Sequence, residues 1–430
     1  MRAQGLAHYA VLGVLVLVVL LGFGVDFFIP KASDTFTKAW VDDDDPSCGG
    51  NSPCFQTIQA AIDAIQLQPP RSGTVYIRPG LYREHVVLTK NVELKGVGRE
   101  LVRLEALDLT KPAIFVKGTY LSGLGGLGIF GGSVGIQVED AEVFEISYNR
   151  IAGYTEAGIR LVRSKISLYH NELPLEDPFR GSLEDPFRGS IAILEGSQAL
   201  IAGNVVYGEL IIQGEESYAD IQGNLLGTIR VANGGSASVV RNQLVSALGV
   251  FNTGIMVHGE AEATIIANHI QGYSFGIAVI GKADIKNNII LQNEYGIQVG
   301  DPVRHFSQPP RFRIAQNRII ANTRWGLALY QGQRLYPHPT DPYAEVYKNW
   351  ISENGFGYVG GGIEFGSQVR QLRLNLFNNW IINNGLGICP DPNESEKETL
   401  RGSKNEIRDN TEDICSDGAD YPWPPGFRKP

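Results

Sequence analysis

The sequence predicts an all-β fold: a single-stranded right-handed parallel β-helix, a solenoid, preceded by an N-terminal capping helix. Three observations predict it. An Asn followed two residues later by an aliphatic recurs down the chain, at Asn149, Asn204, Asn224, Asn242, Asn268, Asn288, Asn317, Asn349, Asn379 and Asn405. A Gly-aliphatic-x-aliphatic phrase alternates with it, at Gly135, Gly158, Gly254, Gly276, Gly296 and Gly326. Most of the Asn positions lie 18 to 32 residues apart. That period suits one coil, lengthened here and there by insertions.

Each repeat holds short strands of period two, separated by Gly or Asn turns. Alternate residues point inward and fill the bore of the stack; the others face out. An Asn at a fixed corner can stack as a ladder along the axis, and it tolerates the left-handed turn conformation. A sandwich or propeller would show two-residue hairpin turns, and few are present.

Composition agrees with this organisation. The 430 residues include 51 Gly and 2 Met, and the formal net charge is −9. The acidic groups are spread out, and no basic stripe offers counterion release, so nucleic acid is not expected as a partner.

At the N-terminus, Arg2 and His8 precede an apolar run from Tyr9 to Phe23, ended by Asp26 and Pro30. This has the order of a secretory signal. If uncleaved, Tyr9 to Ile29 is long enough to anchor the chain in a membrane. Either reading places the chain from about Lys31 onward outside the cytoplasm, and four cysteines agree with an oxidising compartment. The expected division is 1–30 signal peptide or anchor, 31–54 linker with a Cys48–Cys54 loop, 55–415 β-helix, and 416–430 C-terminal cover. Phe55, Ile58, Ile62 and Ile65 have near-helical spacing and predict a helix that plugs the N-terminal mouth ahead of a first strand at Thr74–Ile77.

WVDDDDP, FQTIQAAIDAI and GTVYIRPGLYREHVVLTKNVELKGVG together resemble the opening region of the pectate-lyase-like superfamily. The likeness covers roughly residues 40 to 415. It includes a resemblance to exported right-handed β-helix repeat proteins, among them the periplasmic copper-maturation factor of nitrous oxide reductase. It implies the fold and leaves the activity open, because the superfamily includes lyases, methylesterases, epimerases, adhesins and surface-layer proteins. Gly80–Glu84 is similar to a methylesterase scaffold segment. The catalytic phrases of methylesterases and polygalacturonases are absent, so no catalytic residue carries over.

Chemistry is sought in insertions, because loops on a rigid scaffold carry function. Two long ones follow consecutive Gly-phrase strands and are expected to stack into one wall. They contribute Arg304, His305, Arg311, Tyr336, His338 and Asp341. Arg suits carboxylates and Tyr suits ring stacking, a fair recipe for an acidic sugar. Such a wall can also hold a general acid and base. The alternative is a pair of Pro-stiffened loops without a ligand.

Register supplies a second site. The residue after each ladder Asn should point outward, so Arg318, Trp350, Trp380 and Glu406 should form one column about 4.8 Å per step. Exposed aromatic platforms of this kind bind sugars; otherwise a loop covers both indoles. The same logic places Cys389 and Cys415 side by side on the last two coils, within disulfide reach.

Two features are discounted. Asp42–Asp45 can offer oxygen ligands to calcium, but a spaced pattern with Gly is missing. LEDPFRGS occurs twice in tandem from Leu175; removing one copy shortens the Asn171–Asn204 gap from 33 to 25 residues, near the normal period. No nucleotide loop, zinc spacing or redox CxxC is present, so no cofactor or metal is expected.

The leading expectation is an exported or anchored β-helix that binds extracellular or cell-surface polysaccharide. A polysaccharide lyase, epimerase or esterase with its site in the 301–343 loops is the alternative, and a structural envelope or adhesion protein is the third.

Overall fold

The computed structural model describes residues 36–66, 72–174, 190–246, 252–300, 311–330, 344–355, 361–365, 374–389 and 400–414. Across them the chain winds as a right-handed parallel β-helix with all strand pairings parallel. Each coil contributes one strand to a 16-stranded sheet and two to a 26-stranded sheet. The two strand columns of the larger sheet merge because Val205–Gln213 and Leu225–Ala232 run unbroken through the corner between them.

Like stacks on like along the bore. Ile255, Ile277, Ile297, Leu327, Ile363 and Ile388 pair in register, each at most 3% exposed. Ile265, Ile285, Ile314, Val346 and Leu376 do the same in the smaller sheet. A residue in such a column loses nearly all its apolar surface to water, worth about 1.5–3 kcal/mol each.

The expected Asn ladder is present and buried. Its left-handed conformation, however, falls one residue earlier than the sequence suggested: Arg241, Ala267, Gln316, Lys348 and Asn378 take φ of 54–57°. The Asn side chain must turn inward to reach its neighbours, so the preceding residue makes the chain reversal. A second ladder, Asn293, Asn322, Asn354, Asn384 and Asn410, runs along another corner. The sequence reading missed it.

The N-terminal boundary also differs. The stretch read as linker contains a strand, Lys38–Val41, which pairs with Gly73–Ile77 on one side and Cys54–Phe55 on the other. Cys48 and Cys54 are disulfide-bonded, with Cα atoms 5.6 Å apart. Phe55 is therefore extended, and the helix spans Ile58–Ala64 only. Thr57 Oγ1 accepts from the Ala60 amide at 3.2 Å. The Glu84 carboxylate accepts from the Ile58 and Gln59 amides at 2.8 and 2.9 Å. Lys90 donates to the carbonyls of Ile62, Asp63 and Ile65 at the other end. A short helix is thus held at both poles by charges of the favourable sign. Ile58, Ile62 and Ile65 are buried against the first coil.

Candidate functional site

The predicted tryptophan column forms as register requires. Arg318, Trp350, Trp380 and Glu406 pair on successive strands. The two indoles stack with ring centroids 6.4 Å apart and planes at 29°. They remain 40% and 38% exposed, so no described loop covers them. Trp350 Nε1 donates to Ser352 Oγ at 2.9 Å, which satisfies the polar atom and leaves carbon surface to solvent. Around the Asn349–Asn379 corner, Tyr347 and Phe377 of the same two coils stack at 4.9 Å and 4°. The Arg313 guanidinium lies 5.1 Å over the Tyr347 ring. Four aromatic rings thus flank one corner of two coils. The sequence placed only the tryptophans, because the outward register was counted from the residue after each Asn and not from the one two before it.

The predicted loop wall falls largely outside the described residues: Arg304, His305, Tyr336, His338 and Asp341 all do. Arg311 opens the strand Arg311–Ala315, opposite Lys282. Both segments leave after register-paired residues, Val299 and Leu329. Cys415 also lies outside the described residues; Ile388 and Ile414, each one residue before a cysteine, pair directly.

A cluster the sequence did not reveal sits at the corner where the wall begins. The Tyr330 phenol donates to Glu364 Oε2 at 2.5 Å. Burial pushes the Glu364 carboxyl above the usual carboxylate range, opposed by the Tyr330 bond and by Arg324. Burial and the Glu364 charge together push the Tyr330 phenol up. Arg324 ion-pairs with Glu294 at 2.8 Å and donates to Tyr295 Oη at 3.0 Å. Tyr295 in turn stacks on Phe275 at 5.2 Å. A partly buried carboxyl raised by burial beside a phenol can bind or exchange a proton.

Much of the acidic run is engaged within the protein itself. Carboxylate oxygens of Asp42, Asp43 and Asp44 lie within 4.8 Å of one another. Asp42, 4% exposed, ion-pairs with Arg78 at 2.7 Å and accepts from the Asp45 amide. Asp43 accepts from the Leu81 amide, and Asp45 from Ser47 and Gly49. These carboxylates already staple the turn that precedes the disulfide.

The family model described as periplasmic copper-binding protein (NosD) matches residues 191–418. No curated protein sequence matches. Among solved structures, the chain is similar to the catalytic unit of a GH87 α-1,3-glucanase from Streptomyces thermodiastaticus strain HF3-3, at 14% identity and TM-score 0.47, over 85% of this chain and 67% of that one. It is similar to the Dettilon tailspike protein (gp208), at 14% identity and TM-score 0.45, over 84% of this chain and 64% of the tailspike. The A-module of mannuronan C-5 epimerase AlgE6 from Azotobacter vinelandii matches at 14% identity and TM-score 0.41, over 81% and 93%.

The described residues do not fit a resident copper ion, which asks for converging imidazole or sulfur donors. His85 is engaged through both ring nitrogens, with Pro112 O at 2.8 Å and the Asp108 amide at 3.0 Å. His170 stacks under Tyr148 on the smaller sheet. Met256 and His258 share a strand of the larger sheet, and His269 stands on another. The acidic trio is the only group of three or more metal-ligating carboxylate, His or Cys residues among the described residues.

Proposed function

The chain belongs to the family of periplasmic copper-binding proteins (NosD), and on that premise of an extracytoplasmic β-helix we propose that it binds polysaccharide outside the cytoplasm. The observation that carries the reading is the exposed Trp350–Trp380 stack. Two stacked indoles on a rigid sheet face, the Trp350 Nε1 turned aside onto Ser352, give an apolar ledge for the C–H faces of sugar rings. Arg318 and Glu406 bracket the ledge with hydrogen-bonding groups for hydroxyls. The rigid strands hold all four in register, so little ordering is needed on binding. A glycan array tests this: binding that disappears in Trp350→Ala/Trp380→Ala supports it, and an array without any binding contradicts it.

A second reading is favoured by the Tyr330–Glu364 pair. A raised carboxyl beside a phenol, where two long segments leave the coil, suits a polysaccharide lyase, epimerase or esterase with Glu364 as its proton-transfer group. Turnover of polysaccharide substrates that is abolished by Glu364→Gln, with glycan binding retained, supports this reading. Absence of turnover across neutral and uronic-acid polymers removes it. The Tyr9–Phe23 run serves as the export signal or as a membrane anchor, and the N-terminal sequence of the mature protein distinguishes the two.

A further inference from the structure

The smaller sheet carries a trough of about 1130 Å³ near its N-terminal end. Its floor is the strand Tyr120–Gly125. Gly123 stands in register between Glu93 and Glu145, and Gly125 between Lys95 and Ser147. The floor is bare by necessity: a Cβ on Gly123 would meet Glu145 O at 2.6 Å, and one on Gly125 would meet Ser147 O at 2.7 Å. No side chain can refill it without moving backbone.

One end of the trough is strained. Leu121 and Val143, on neighbouring strands, both hold φ of 52° and are 51% and 56% exposed. A β-branched residue in this region is an outlier that folding alone does not favour. A register shift between Glu142 and Phe144 accompanies it. The bulge lifts two aliphatic side chains onto the rim. At the other end Tyr148, 60% exposed, stacks on His170 with centroids 5.0 Å apart.

The charges in between are mostly spent. Lys95 pairs with Glu93 at 2.9 Å, and Arg99 with Glu172 at 2.9 Å. Glu145, exposed on the strand Glu142–Ser147 that leads from Val143 toward Tyr148, makes no such pair among the described residues.

We propose that this trough binds one ring of a neutral glycan, seated across the Tyr120–Gly125 strand. The Glu145 carboxylate accepts hydrogen bonds from neighbouring hydroxyls. The Tyr148 ring carries the apolar face of the sugar, and Leu121 and Val143 close the far end. Uronic acids are rejected, because their carboxylates would sit against Glu145, whose charge no cation of the trough offsets. This site is independent of the tryptophan ledge. Eight strand steps of about 4.8 Å, ~38 Å in all, separate the Glu142–Ser147 strand from Ala344–Tyr347.

The test is calorimetric titration of the full chain with cellohexaose, laminarihexaose and maltohexaose, with hexagalacturonate as the charged comparison. At least one neutral hexamer should bind, and Glu145→Ala and Tyr148→Ala should each weaken it about tenfold. Both side chains are exposed, and Ala267 already holds φ of 57° at the corner that Tyr148 occupies, so the variants can fold. The proposal is overturned if no neutral hexamer binds at about 1 mM, or if hexagalacturonate binds as tightly. It is equally overturned if neutral binding survives both substitutions and is lost only in Trp350→Ala/Trp380→Ala, which would assign it to the ledge.

Discussion

Asn242 donates both its backbone amide and its side-chain Nδ2 to Oδ1 of Asn268, at 2.9 and 3.1 Å. Each rung thereby ties one coil to the next through a buried polar group whose bonding capacity is almost filled. Asn268 repeats the arrangement toward Asn288 and also donates to Val239 O.

Asn268→Ala should therefore cost about 3 kcal/mol, since it leaves the buried Asn242 backbone amide without its acceptor and removes the side-chain donor to Val239 O, while Asn242 Nδ2 keeps Ile221 O and Val240 O. The terminal rung Asn405 is partly exposed, and Asn405→Ala should cost about 1 kcal/mol. Urea unfolding of both variants checks the ordering; equal losses would contradict a ladder whose strength depends on burial.

Val143 offers the opposite sign. Its side chain is 56% exposed, and its backbone sits in the left-handed region that Gly adopts freely and a β-branched residue does not. Val143→Gly should stabilise the protein by about 1 kcal/mol, the left-handed penalty less the added entropy of the unfolded chain. A thermal melt that shifts downward would show that the rim packs more than its exposure indicates.

The buried carboxyls give a pH dependence with a definite direction. Burial raises Glu84, Glu209 and Glu364 above the usual carboxylate range. Between the unfolded value, about 4.3, and the raised folded value, the folded state holds more protons. Its stability from these groups is present below that window and is lost as pH rises through it. Glu364→Gln removes one such group. The stability of this variant relative to the wild type should increase from about pH 4 to about pH 8; a difference that is flat or falls over this range would contradict the assignment.

Cys389 and Cys415 are proposed to clamp the last coil, given the Ile388–Ile414 pairing that precedes each of them. Non-reducing peptide mapping should recover them as one linked pair, alongside Cys48–Cys54. Recovery of both as free thiols would remove the clamp.

How much of this was legible depended on whether a feature followed from register alone. The Asn-x-aliphatic phrase fixes which residue faces out, and from it the Trp350–Trp380 stack follows directly. The second ladder was hidden because Asn293, Asn322 and Asn354 lack the following aliphatic. Their signal is instead an Asn three or four residues ahead of a Gly phrase, as in Asn293-Glu-Tyr-Gly296. The Tyr330–Glu364 pair joins residues 34 apart whose contact is set by loop length. The trough depends on a bulge at Leu121 and Val143, which neither propensity nor period announces. The Phe55 start of the helix failed because Phe55, next to the disulfide-bonded Cys54, pairs as a strand with Val41.

The most direct measurement of the central claim is a quantitative titration of an array-identified polysaccharide against the wild type and Trp350→Ala/Trp380→Ala, followed by intrinsic fluorescence and calorimetry. Loss of two stacking contacts should weaken binding at least about tenfold, with the unfolding midpoint nearly unchanged. Undiminished affinity in a folded double variant would contradict the account.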